Sequence, residues 1–161
     1  ESKLQVYKGI NGESNSMAQL SASFSVYQKI DKGSRFVLTD RIGGGVTVGK
    51  QAFYQSSFLG GQGNLLGYRE FRFGGQHSLY NNLELRVKVA NFINYILPGQ
   101  FGLLGFHDVG RVWRKGEKSD VWHQGFGAGL YFAPASLTVF RFVVGHSNEG
   151  WYPYVAMKFR Y

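Results

Sequence analysis

The chain contains no cysteine, which removes disulfides, thiolate nucleophiles and Cys-ligated zinc together. Only 3 of its 161 residues are Pro and 2 are Met. No apolar run approaches the roughly 18 residues that a membrane-spanning helix needs. A helical membrane protein is thereby excluded. A membrane barrel is not, because its strands alternate and average to a modest hydropathy; the mean hydropathy here is -0.21. Charged residues make up 17% against 43% hydrophobic, which excludes a disordered tail. Acidic residues number 10 against 18 Lys and Arg, a net charge of +8, but the basic residues come singly between apolar ones. That spacing points to a polar strand face and argues against a nucleic-acid partner. The chain opens Glu1-Ser2-Lys3 with no apolar leader, so either a signal has been removed or the chain begins inside a longer protein.

What the chain has in quantity is Gly (23), Phe (14) and Tyr (10), a composition suited to β-structure with tight bends. Period-two alternation is the main signal. Ala18, Leu20, Ala22, Phe24 and Val26 share one face against Gln19, Ser21, Ser23 and Ser25. Leu79, Leu83, Leu85, Val87 and Val89 oppose Tyr80, Asn82, Glu84, Arg86 and Lys88. Val155, Met157, Phe159 and Tyr161 oppose Ala156, Lys158 and Arg160. With looser stretches at 4–10, 36–48, 101–113, 122–132 and 137–145, this predicts about eight strands of about ten residues, the length that crosses a bilayer with tilt. Short turns at 31–34, 97–100 and 134–135 alternate with longer connections at 11–16, 50–77, 115–120 and 146–150. That is the layout of an antiparallel up-and-down transmembrane β-barrel, here one domain over 1–161 with a long loop at 50–77. Pairing of the last strand is expected to begin after Pro153, which lacks a donor.

The facing decides between a soluble barrel, apolar inside, and a membrane barrel, apolar outside. Gly125, Gly127 and Gly129 share a face with His123 and Tyr131, opposite Trp122, Phe126, Leu130 and Phe132. A glycine face beside polar residues suits a crowded lumen, and large aromatics suit lipid. Leu85, Phe126 and Phe142 are therefore expected to face lipid, and Glu84, Arg86 and Lys158 the lumen. The loop 50–77 carries Phe53, Tyr54, Phe58, Leu59, Tyr68, Phe71 and Phe73, so it is expected to pack, with the lumen as the available place. Its Gly60-Gly61-Gln62-Gly63 run lacks the Gly-Lys-Ser/Thr ending of a phosphate loop. His77, His107, His123 and His146 show no zinc spacing, and no G-x-S-x-G elbow occurs, so no catalytic, metal or cofactor site is expected.

Five segments in order carry a family resemblance. Leu65-Leu66-Gly67-Tyr68-Arg69 is similar to the V-R-G-F/Y loop motif of the BamA/TamA superfamily of bacterial surface antigens. The segment from Leu79 to Arg86 resembles the strand that follows it. Phe106-His107-Asp108-Val109-Gly110 matches that family's F-x-D-x-G strand, and the segment from Trp122 to Leu130 resembles its glycine-rich strand. The alternating end, Val155, Met157, Phe159 and Tyr161, is similar to its C-terminal signal strand. The resemblance covers the chain from about Arg35 onward.

It implies a barrel of about 16 strands with the loop folded into the lumen, of which this chain supplies the C-terminal half. It implies an integral protein of the bacterial outer membrane whose clients are unfolded outer-membrane proteins. It implies a seam at which the edge of the last strand templates an incoming strand. Either a second chain or a further copy of this one completes the barrel, or eight strands close on themselves, with 4–10 pairing 155–161, as a structural anchor. A lipid-acting barrel enzyme is a further alternative. Gly67, Tyr68 and Arg69 are the loop-motif residues; Phe106, Asp108 and Gly110 mark the lumenal partner strand; Glu84 and Arg86 are lumenal charges. Tyr68 and Arg69 are expected to be protected against the strand bearing Phe106 and Asp108. The family arginine that meets the aspartate is Leu66 here, so Asp108 is expected to take Arg69 or Arg86 instead. Arg111 and Arg114, near the long-loop rim, are candidates for pairing with lipopolysaccharide phosphates.

Overall fold

The computed structural model describes residues 2–7, 17–49, 56–92, 98–114, 121–134 and 138–159. Its strands are β1 (Ser2–Tyr7), β2 (Met17–Lys29), β3 (Phe36–Gly49), β4 (Ser57–Leu59), β5 (Phe73–Gly75), β6 (His77–Phe92), β7 (Gly99–Trp113), β8 (His123–Pro134), β9 (Thr138–Ser147) and β10 (Gly150–Phe159). Among the described residues there is no helix, so none is long and apolar enough to cross a membrane. Eight strands form one antiparallel sheet in the order β1-β2-β3-β6-β7-β8-β9-β10. The short strands β4 and β5 pair with each other inside the long loop. Among the described residues β1 and β10 are not paired with each other, so each is an edge.

Local chemistry sets the turns. Between β2 and β3, Asp31 accepts the Phe36 N–H on its side chain at 3.0 Å and the Ser34 N–H on its carbonyl at 3.2 Å. The Phe36 bond holds the Asp31 carboxyl below its usual range. Ser34, at φ 51°, takes the left-handed position that closes the turn. Other connections differ from expectation. The link from β9 to β10 is a two-residue turn, Asn148-Glu149, and not a long loop. The Ser147 side chain accepts the Glu149 N–H and tightens it. β10 also begins before Pro153 and not after it, with Pro153 opposite Val144. Pro153 is tolerated because β10 is an edge strand and its missing N–H need not meet a neighbour. Val89 is skipped in the β6–β7 register, a bulge near the short-turn end.

The expected facing is seen in the burial of alternate residues. Leu20, Phe24, Val26, Leu83, Leu85, Phe126, Leu130, Phe142, Val155 and Met157 are exposed on one face of the sheet. Glu84, Arg86, Phe106, Asp108, Gly125 and Tyr131 turn to the other and are buried or partly buried. The side chains of Lys158 and Phe159, and all of Arg160 and Tyr161, lie outside the described residues. The covered face carries a small core of Leu104, Phe106, Tyr131 and Val143, against which the loop residue Leu66 packs. The sheet curls around that loop: Arg41 on β3 donates to the Gly63 carbonyl, and the adjacent Gln62 side chain donates to the Val155 carbonyl on β10. A soluble barrel would bury the apolar rows; this sheet presents them outward.

Candidate functional site

The long loop is rooted before it enters the curve of the sheet. Ser57 on β4 and Ser78 on β6 share a buried hydrogen bond of 2.6 Å. Gln76 accepts from the Thr47 N–H at 2.7 Å and donates to the Trp113 carbonyl at 2.8 Å. From this root the chain passes Gly60 (φ 127°) and Gly61 (φ 75°) into a closed turn in which the Leu65 N–H meets the Gly61 carbonyl. Asn64 holds the turn from within, accepting the Gly60 N–H and donating to the Phe58 carbonyl. Asn82 on β6 donates to the Asn64 carbonyl at 2.7 Å.

Beyond the turn the main chain lies flat on the glycine face of β8 and β9. A Cβ at Gly125 would fall on the Leu66 carbonyl oxygen, and one at Gly145 would come within 2.7 Å of the Gly67 nitrogen. Gly67 itself has φ 95°, and a Cβ there would meet the His146 carbonyl at 2.9 Å. Its N–H donates to the Tyr154 hydroxyl at 3.0 Å, and its carbonyl accepts from the Ser147 hydroxyl at 2.5 Å. The Tyr154 hydroxyl donates in turn to the Tyr68 carbonyl at 2.7 Å. Tyr68 is 2% exposed. Its hydroxyl lies 3.1 Å from the Gln124 carbonyl and 2.9 Å from Asn148 Oδ1, two acceptors for one proton. Burial pushes its pKa upward. Phe73 lies edge-on to the Tyr68 ring and stacks on His123 with 3.6 Å between ring centres.

The sequence-predicted residues are thus divided. Gly67 and Tyr68 lie within the curve of the sheet, where the Tyr68 hydroxyl reaches β8 and the β9–β10 turn. Arg69 is exposed, contrary to the expectation that it packs there. Asp108, 3% exposed, pairs with neither Arg69 nor Arg86: its Oδ2 accepts the main-chain N–H of Leu66 at 2.9 Å. The backbone at the departed arginine position makes the contact that the side chain would have made. Arg86 is committed to Glu84, which also pairs with Arg141 on β9. The cations near Asp108 are Arg41, whose guanidinium is held by Asn82, and Arg141. Phe106 and Gly110 are buried on the same strand face as Asp108. Together Arg41, Asn82, Glu84, Arg86, Asp108 and Arg141 line a polar cavity of about 440 Å³. Among the described residues no group of His, Asp and Glu is arranged to hold a metal ion. Val155 and Met157 point outward from β10. Arg111 lies over the rings of Trp113 and Trp122, and Arg114 donates to the Gly74 carbonyl at 3.4 Å.

Sequence reasoning missed Arg141, Tyr154, Ser147 and Gln62. The first three were findable in part, since alternation places each on an inward position of β9 or β10. Gln62 had no signal beyond its place in a glycine-rich run.

A family model described as the Omp85 superfamily domain matches residues 2–147. The chain belongs to the Omp85 superfamily. No curated protein and no solved structure matched it. Omp85 proteins are β-barrels of the bacterial outer membrane concerned with assembly and translocation, and the outward apolar rows and inward loop of this chain accord with that architecture.

The Asp108 contact gives a prediction. Because its partners are neutral donors, the Leu66 main-chain N–H and the Asn82 side chain, Asp108→Asn keeps an acceptor and should leave the loop docked. Asp108→Ala leaves the Leu66 N–H unmet and should weaken docking by about 1–3 kcal/mol. Trypsin cleavage after Arg69 reads the difference: fast in the alanine variant, slow in the asparagine variant. Equal acceleration in both would mean that the charge, not the acceptor, holds the loop.

Proposed function

We propose that this chain is the C-terminal half of a BamA/TamA-type barrel in the bacterial outer membrane, acting in the assembly or translocation of other proteins. The free edge of β10 is one wall of its seam, where an unfolded outer-membrane client adds a strand by main-chain hydrogen bonds. One observation carries this reading: the sheet ends in two separate edges while its inner face is already occupied by the docked loop. An eight-stranded lumen is just filled by side chains, so a ring of these strands alone has no space for such a loop. The remaining strands come from a second chain or from more of the same polypeptide. Arg111 and Arg114 lie toward the long-loop end of the strands, where lipopolysaccharide phosphates are the natural counter-charges.

The absence of native cysteine makes the test direct. Single cysteines placed along β1 and along β10, combined pairwise and oxidised in membranes, should give no intrachain disulfide. A regular ladder of disulfides between the two strands would mean a closed eight-stranded barrel and would remove the seam.

A further inference from the structure

The register of β10 fixes which of its main-chain groups are available. Ser147 and Gly150 pair across the two-residue turn Asn148-Glu149. A pair that closes so short a turn exchanges hydrogen bonds, and hydrogen-bonded and non-hydrogen-bonded pairs then alternate along the ladder. Counting down the register, Tyr152–Gly145, Tyr154–Val143 and Ala156–Arg141 bond across to β9. The C=O groups of Trp151, Pro153, Val155, Met157 and Phe159, and the N–H of each of them but Pro153, therefore point away from β9, to the free edge. Two independent features agree. Pro153, which has no N–H, falls on the free side, and the carbonyl that the Gln62 side chain reaches, at 2.9 Å, is that of Val155, also on the free side.

Gln62 is not a loose side chain that happens to fold over. Its own N–H is held by Glu70 at 2.8 Å, and a Cβ at the preceding Gly61 would collide with the Glu70 carboxylate. The turn that carries it is clamped to β3 and β6 by Arg41 and Asn82. The loop thus spans from the third strand of the sheet to the eighth and delivers one amide to one edge carbonyl.

Resting on the seam reading above, we infer that Gln62 is a latch on the β10 edge. With the loop docked, the edge cannot be used in full. Pro153 supplies no donor, and the Val155 carbonyl is already taken. The uninterrupted part open to an added strand is the segment from the Val155 N–H through Met157 to Phe159. A client strand adds first to that segment, and pairing past Val155 requires the Gln62 amide to leave. Loop docking and strand addition above Val155 compete for the same oxygen.

The test uses the intact protein reconstituted in phospholipid vesicles. Single cysteines replace Pro153, Val155 or Met157, and the probe is a synthetic ten-residue peptide of alternating apolar and polar residues with a C-terminal Phe and one cysteine. In the otherwise native protein, disulfide capture should be strong at Met157 and weak at Val155 and Pro153. Adding Gln62→Ala should raise capture at Val155 by about 2- to 10-fold, the worth of one net hydrogen bond, with Met157 unchanged. Gln62→Glu, which keeps the length but offers no amide donor, should behave as the alanine variant. Trypsin resistance after Arg69 in both variants shows that the loop is still docked, so the gain is not general loosening. Equal capture at Val155 with and without Gln62 would overturn the latch and leave strand addition standing. No capture at any of the three positions, in any variant, would overturn strand addition at β10 and the latch with it.

Discussion

Replacing Gly125 with valine should drive the loop off the sheet. The Leu66 carbonyl occupies the space that any Cβ at Gly125 would need, and backbone on both sides leaves no flexible side chain to yield. Leu66 and Gly67 would have to lift, breaking the bonds from the Leu66 N–H to Asp108, from the Gly67 N–H to Tyr154 and from Ser147 to the Gly67 carbonyl. At about 1 kcal/mol net for each bond, with overpacking added, the docked state loses roughly 4 kcal/mol. Cleavage by trypsin after Arg69 and Arg72 should then accelerate by about a hundredfold or more, because the cut follows the population of the undocked loop. The sheet itself should persist, since Gly125 pairs with Asp108 through the backbone, which the side chain does not touch. A valine variant with the native cleavage pattern would mean that the loop does not lie on β8.

Leu85→Arg should destabilise the membrane-inserted protein by about 2–4 kcal/mol. Leu85 lies near the middle of β6 and points outward, so in the proposed barrel an arginine there would meet acyl chains near the depth where charge costs most. Phe126, exposed on the same outer face, should lose a comparable amount, because the register sets it opposite His107 in the middle of β7, which in turn lies opposite Leu83. Urea unfolding in phospholipid vesicles, followed by tryptophan fluorescence, gives both values. Equal and negligible effects at the two positions would mean that the outer face does not meet lipid.

The sheet was legible because its outward and inward rows differ in character, and β2, β6 and β8 record that contrast residue by residue. Leu83, Leu85, Glu84 and Arg86 announce both the strand and its orientation. Where the contrast fades, the boundaries shift: Gly150 to Tyr154 mixes aromatics with a proline, and β10 starts earlier than its alternation suggests. The loop was legible as a packed element from its aromatic content, but its contacts were not. Asp108 is answered by a main-chain donor, which no residue type reveals. Tyr154 and Ser147 meet Gly67 only because the sheet curls far enough to bring residues 80 or more positions apart together. Sequence alternation places a side chain on a face; it does not say which distant backbone will arrive there.

That separation along the chain sets an order of events. The root of the loop needs only β3, β6 and β7, but Gly67 and Tyr68 are held by groups on β8, β9 and β10, made 56 to 87 residues later. Closing so long a loop of chain is slow and is rewarded only once the far strands are in place. Docking is therefore expected to complete last in folding. A chain stalled before its final hairpin would lack the Ser147 and Tyr154 bonds to Gly67 and Tyr68 and would still hold the loop through Arg41, Asn82 and Asp108, with Arg69 and Arg72 more open to trypsin than in the finished protein.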